Sequence, residues 1–297
     1  MTNDKLLRLC GGLYDRTRAI AAGEVSEQVN YLVSPAAPEA WKALISGACD
    51  VAEVSACRYI IGRAAGDIPY MGLAIFPSKM FRHHSIYINT DRIKSPSDLS
   101  NATIGTTGYG LSAPVWIRGI LRDQHGVDFT HTRWVEGKVN AGDIPLASLL
   151  AKGEIDAIFA AELPNELFED GPIQRLFPDF RASERSYFLE TGLFPIMHCV
   201  VLRNELATEQ NAKKIRGIYD EAKSLGSTDL RSQTGLRVSL PWLQADLEEM
   251  DQIHHDMWSY GLKEMLNVKT LETLVQYLHQ DGLIDRVMPL SELFPLD

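Results

Sequence analysis

Long hydrophobic runs are missing from this chain, and so is any excess of basic charge. No stretch of its 297 residues approaches the roughly 18 consecutive apolar residues that a bilayer-crossing helix requires, so no membrane partner is expected. Asp and Glu number 39 against 29 Lys and Arg, a formal net charge of −10. Nucleic acid and anionic membranes call for a basic face, and this balance argues against both. An anionic ligand would have to be held by local arginines, because the overall field repels it. Cysteine is scarce as well. Cys10, Cys49, Cys57 and Cys199 lie in apolar or helical surroundings without metal-ligand spacing. They read as buried free thiols of a reducing compartment rather than as disulfides.

Several catalytic signatures are also absent. There is no G-x-S-x-G, no P-loop and no H-E-x-x-H, and Gly105, Gly108 and Gly110 do not make a dinucleotide fingerprint. His254, His255 and Asp256 follow an acidic helix with no third ligand near them in sequence, which is a weak metal motif. The opening TNDKLLRLCGG has its apolar run interrupted by Arg8 and is too short for a signal segment, so a cytoplasmic location is expected.

What is present is regular alternation of strand and helix patterns. Strands are expected at residues 5–9, 28–33, 50–54, 71–75 and 85–89, with helices at 15–22, 38–46 and 56–65 between them. A second set follows, with strands at 103–105, 132–135 and 155–160 and helices at 114–124 and 144–152. Residues 194–204 resume strand character, and amphipathic runs at 211–225, 240–252 and 270–280 close the chain. No repeats or low-complexity segments interrupt it. Such alternation implies an α/β fold of two lobes, each a mostly parallel sheet flanked by helices, with a ligand cleft between them. This would be the two-lobed periplasmic-binding-protein-like architecture. The expected division is residues 1–92 and 200–297 for the first lobe and 93–199 for the second.

The run FPSKMFRHHSIYIN, residues 76–89, concentrates chemistry. Arg82, His83 and His84 stand directly before a strand, and a guanidinium beside two imidazoles suits carboxylate binding and proton transfer. The plain alternative is a solvated polar turn. Arg16 and Arg18 flank a Gly-Gly turn that opens a helix, where backbone N–H groups meet anions. Two positions apart, they do not share a helix face, so one can serve a ligand while the other pairs with an acid. Glu53 interrupts an apolar strand and Ser55 follows it. A carboxylate there is costly to bury unless paired or protonated, so a raised pKa suited to acid or base work is expected for it; a salt bridge to a neighbouring arginine is the plainer reading, and both can hold together. Tyr109 sits between glycines, Ser112 reads as a helix cap, and Arg118 lies one turn inside that helix. His198 lies among apolar residues of an expected crossover strand, where a core or hinge histidine is the simpler reading.

The segments YDRTRAI, DVAEVSACRYI, IFPSKMFRHHSIYIN, PVWIRGIL, GEIDAI, LFPD, TGLFPIMH and LPWL occur in an order that resembles the 4,5-dihydroxyphthalate decarboxylase family. The resemblance extends over nearly the whole chain and implies the type 2 periplasmic-binding-protein-like fold. YDRTR and FPSKMFRH are specific, whereas GEIDA is shared with many substrate-binding proteins. It implies non-oxidative removal of one carboxylate from a dihydroxylated aromatic diacid, giving protocatechuate and CO2, without an organic cofactor. A divalent metal stays open, since Glu53 and a histidine of the opening loop could meet in space. The implied roles are Arg16, Arg18, Arg82 and Arg118 for the carboxylates of a small aromatic acid, and His83 or His84 as proton donor, with Glu53 polarising a hydroxyl or supporting a histidine. Ser55, Tyr109 and His198 complete the expected substrate contacts. Two departures stand out: only VEGKVNAGDIP occupies the place of a longer glycine- and proline-rich insert, and His84 stands where a smaller residue is implied. The rival reading is a non-catalytic binding protein of the importer type, and a third is another enzyme of this fold acting on a carboxylated ring. Whether the chain forms a homo-oligomer is not legible.

Overall fold

The computed structural model describes residues 6–66, 68–232, 234 and 238–297. Along the chain come β1 (Arg8–Gly11), α1 (Asp15–Ala21), β2 (Asn30–Val33), α2 (Ala37–Ile45), β3 (Val51–Ser55), α3 (Ala56–Ala65) and the long β4 (Tyr70–Lys79). A 3-10 turn at His83–Ser85 leads into β5 (Ile86–Asn89), followed by β6 (Thr103–Thr106), α4 (Ser112–His125), β7 (Arg133–Glu136), α5 (Leu146–Ala151) and β8 (Ala157–Phe159). Then come β9 (Ile173–Arg175), α6 (Phe180–Thr191), β10 (Ile196–Arg203), α7 (Glu209–Arg231), α8 (Leu243–Ile253), α9 (Met265–Gln280) and α10 (Leu290–Leu293).

The chain forms two compact units. The first comprises Met1–Lys79, Ile196–Glu272 and Met288–Asp297; the second comprises Met80–Pro195 and Thr273–Val287. Residues 80–92 and 273–287, expected with the first lobe, thus lie in the second unit, and residues 196–199 lie in the first. Each unit holds one five-stranded sheet, in the order β2-β1-β3-β10-β4 for the first and β7-β6-β8-β5-β9 for the second.

The sheets are mixed rather than mostly parallel. β1 runs parallel to β2 and β3, while β10 is antiparallel to both β3 and β4. Likewise β6 is parallel to β7 and β8, while β5 is antiparallel to β8 and β9. The reason lies in the chain path. β5 and β10 are each the first strand after the chain passes from one unit to the other. A strand reached that way is free of the crossover geometry that makes βαβ neighbours parallel.

Local chemistry explains the helix starts. Ser55 accepts from the Arg58 N–H at 3.5 Å, Asp179 from Ala182 at 3.1 Å and Thr208 from Asn211 at 3.2 Å, opening α3, α6 and α7. In the second unit Ile86 and Ile88 join Ile104, Ile117, Leu121 and Phe159 on one side of the sheet. Tyr87, between them, joins Val139, Leu146, Leu150 and Ile158 on the other. This is the two-residue alternation of a strand buried on both faces, each aliphatic side chain contributing about 1.5–3 kcal/mol. Lys5, placed in the first expected strand, lies outside the described residues.

Candidate active site

In the first unit the sheet register brings two titratable side chains onto one face. β10 runs antiparallel to β3 with Val200 opposite Glu53, so His198, two residues along, projects on the same side as the carboxylate. The His198 Nδ1 lies 2.6 Å from Glu53 Oε1. Glu53 is 2% exposed and accepts two further hydrogen bonds, from the Gly12 N–H at 2.9 Å and the Tyr14 hydroxyl at 2.9 Å. The Gly-Gly turn makes this possible. A Cβ on Gly11 would stand 2.8 Å from Tyr31 Oη and 3.1 Å from Glu53 Oε2. Tyr31 donates to the Gly12 carbonyl at 2.8 Å and Thr17 to the same oxygen at 2.7 Å, so the turn is held from both sides.

Burial pushes the Glu53 pKa up, but the hydrogen bond and charge of His198, the Gly12 N–H and the Tyr14 hydroxyl outweigh it and hold the carboxylate below its ordinary range. The expected raised pKa is therefore reversed, because the strand end supplies three donors at once. Glu53 holds Nδ1 of the ring, and Nε2 meets no protein partner among the described residues, with a quarter of the side chain exposed.

Arg16 lies on the same unit. Its guanidinium rests 4.4 Å from the Tyr14 ring centre and 3.9 Å from that of Trp258, its Nε donates to the Pro77 carbonyl and its Nη1 to Asp15 at 2.8 Å. Nη2 has no protein partner among the described residues. Arg18 points elsewhere: it pairs with Asp229 and, at 3.5 Å, with Glu24, tying α1 to α7. Ser55 is the α3 cap and lies opposite His198 in the register.

The remaining candidates belong to the second unit. His83 is fully buried, with Nε2 3.2 Å from Gln124 and its ring edge-on to Phe177 and tilted on Tyr187. Burial lowers its pKa, which favours the neutral ring. His84 places Nδ1 2.8 Å from Glu184, whose carboxylate also accepts the His84 N–H at 3.2 Å. Arg82 is buried, its Nη1 3.4 Å from Ser85 Oγ, and burial pulls it down to about 10. Arg118 is completely buried. It bonds Asp281 at 2.6 Å and the Tyr109 carbonyl at 2.9 Å, and lies 3.7 Å above the Tyr109 ring. An arginine so enclosed anchors the loop to Asp281, and its Nη1 is buried with no partner among the described residues. Ser112 is the first residue of α4, not its cap, which is Leu111.

Sequence reasoning missed Tyr14, Tyr31, Trp258 and Lys79. Tyr14 and Lys79 sit inside the specific YDRTR and FPSKMFRH segments, the one signal that pointed to them. Among the described residues no three of His, Cys, Asp and Glu gather closely enough to hold a metal ion, and no helix is long and apolar enough to cross a membrane.

Solved structures that share this fold include periplasmic binding proteins. The aliphatic sulphonate binding protein SsuA of Escherichia coli matches with a TM-score of 0.63 over 98% of each chain at 14% identity. The periplasmic sulfonate-binding protein SsuA of Methylobacillus flagellatus matches at 0.59 over 98% of this chain and 91% of its own, at 16% identity. The class is thus an α/β protein of the periplasmic-binding fold, built from two units. No family model matches the chain. Within that class it belongs to the 4,5-dihydroxyphthalate decarboxylase family: it is 30% identical to the 4,5-dihydroxyphthalate decarboxylase of Comamonas testosteroni over 97% of this chain and 96% of that one. It is 31% identical to the Pseudomonas putida decarboxylase of the same name over 61% of this chain and 81% of that one.

Proposed function

We propose that the protein is a carboxy-lyase that removes one carboxylate from 4,5-dihydroxyphthalate, giving protocatechuate and CO2, with His198 as the proton donor. The observation that carries the reading is the Glu53–His198 pair: a buried ionised carboxylate fixing an imidazole whose second nitrogen is open. Glu53 sets the ring orientation through Nδ1, so Nε2 is the atom that delivers the mobile proton. Arg16, its Nη2 without a protein partner among the described residues, binds the carboxylate that the substrate retains.

The chemistry follows from the ring. A hydroxyl para to the departing carboxylate feeds electron density to the carbon that bears it, and Nε2–H of the protonated imidazole adds a proton there. The dearomatised intermediate loses CO2, the electrons of the broken C–C bond return to the ring, and water reprotonates His198. One proton is consumed for each carboxylate lost. A positioned acid contributes roughly 10²–10⁴ in rate.

His83 is less suited to the role, being fully buried. His84 is held by Glu184 through Nδ1 much as His198 is by Glu53, but it belongs to the second unit, whereas Arg16 and His198 both belong to the first. The family relationship to the two decarboxylases supports the substrate. A cytoplasmic site of action and a place in aromatic-acid degradation fit that reading. Mixing purified protein with 4,5-dihydroxyphthalate and following CO2 and protocatechuate tests it. Stoichiometric appearance of both is expected; tight binding without turnover would instead make the chain a binding protein.

A further inference from the structure

Lys79 ends β4 and is 2% exposed, and the proposed chemistry gives it no task. Its ammonium meets three oxygens: the carbonyl of Met257 at 3.0 Å, the carbonyl of Ser259 at 2.9 Å and Asn267 Oδ1 at 2.7 Å. The two carbonyls belong to the residues on either side of Trp258. Asn267 strengthens the same turn, donating through Nδ2 to Ser259 at 3.1 Å and to Gly261 at 3.0 Å. The Gly261 N–H in turn reaches the Ala74 carbonyl of β4 at 2.7 Å. Trp258 is thus held through the carbonyls of both neighbouring residues, and its ring lies 3.9 Å from the Arg16 guanidinium. On its other contact Arg16 meets the Tyr14 ring, whose hydroxyl donates to Glu53.

We infer that Lys79 is a positioning residue for substrate binding: by fixing the carbonyls of Met257 and Ser259 it sets the Trp258 ring, and the Trp258 ring sets the Arg16 guanidinium that grips the retained carboxylate. This rests on the reading of Arg16 given above. Burial draws the Lys79 pKa down to about 7, with Lys223 and Arg16 adding to that and Asp256 and Glu264 opposing it. Three acceptors within 3.0 Å match the three donors of an ammonium, whereas a neutral amine has only two. A methionine there would fill much of the space of the side chain and leave both carbonyls without their donor.

The test is a double-mutant cycle in the full-length protein, using Lys79→Met, Arg16→Met and the pair. With 4,5-dihydroxyphthalate, Lys79→Met should raise KM on the order of tenfold and leave kcat within about twofold, since the acid at His198 is untouched. In the Arg16→Met background the same substitution should add little, because the group it positions is gone. Effects that multiply, or a loss confined to kcat, overturn the inference. If Lys79→Met does not fold, Trp258→Leu replaces it: it keeps the lysine and its acceptors and should reproduce the KM rise, and an unchanged KM counts against the inference. Should the wild type bind 4,5-dihydroxyphthalate without turnover, the decarboxylase reading fails alone and the cycle is read in calorimetric binding of phthalate. There, a tenfold weakening by Lys79→Met that vanishes in the Arg16→Met background sustains the inference, and additive effects or no binding by the wild type reject it.

Discussion

At the scale of single residues, the account turns on the contrast between two kinds of histidine. His198 offers an Nε2 without a protein partner among the described residues and an ionised partner on Nδ1, while His83 is sealed against Gln124, Phe177 and Tyr187. His83→Ala should therefore act mainly on stability, costing about 2–4 kcal/mol in denaturant unfolding with kcat largely kept. Glu53 gives a pH-dependent counterpart. Its folded-state pKa lies below the ordinary 4.5, so the stability from its ionised form is complete above that pH and is lost as pH falls through the folded value. Glu53→Gln should thus be about 1.5–3 kcal/mol less stable than wild type at pH 7, with the gap narrowing in acid below 4.5. A gap that is flat or widens toward acid would contradict the assignment. Much of this was hidden from the sequence. Glu53 and His198 were both visible as polar residues in apolar strands, but nothing local revealed that β10 would lie against β3 and join them. The burial of His83 was equally hidden, because a polar run in the sequence does not announce which of its side chains is enclosed.

At the scale of elements, α1 carries Tyr14 at its cap and Arg16 in its first turn, so its seating decides the site. It packs on α7 at Gly226, where an added Cβ would stand 2.3 Å from the Asp15 carbonyl oxygen and 3.2 Å from the Arg16 nitrogen. Gly226→Ala should displace the start of α1, costing about 1–3 kcal/mol and raising KM; unchanged thermal stability and KM would show that the helices have room to give. Strongly patterned elements were legible from the sequence. α3 spans the expected residues 56–65, and α1 falls one residue short of the expected 15–22. β9 and α6 were not seen. β9 has three residues, and α6 buries only Tyr187 and Phe188, too little apolar periodicity to announce a helix.

At the scale of the whole molecule, neither unit is a continuous piece of chain. β10 is inserted between β3 and β4, and Asp281, which satisfies the buried Arg118, arrives with Thr273–Val287. A fragment ending at Pro195 would leave the first sheet without an inner strand and the second unit with an unpaired buried guanidinium. It should be expanded and insoluble by light scattering, whereas a compact fragment with native circular dichroism would contradict this dependence. With a net charge of −10, binding of a dianion rests on local cations, so weakening of KM by salt should be modest and should largely disappear in Arg16→Met. The central claim is that His198 protonates the ring carbon that loses CO2, and it is tested most directly by turnover of 4,5-dihydroxyphthalate in D2O, comparing wild type, His198→Gln and His83→Gln. The expected result is protocatechuate carrying one deuterium at the ring carbon beside the retained carboxylate, with kcat reduced by about 10²–10⁴ in His198→Gln and nearly unchanged in His83→Gln. A His198→Gln enzyme that retains wild-type kcat, or the reverse order of the two variants, would contradict it.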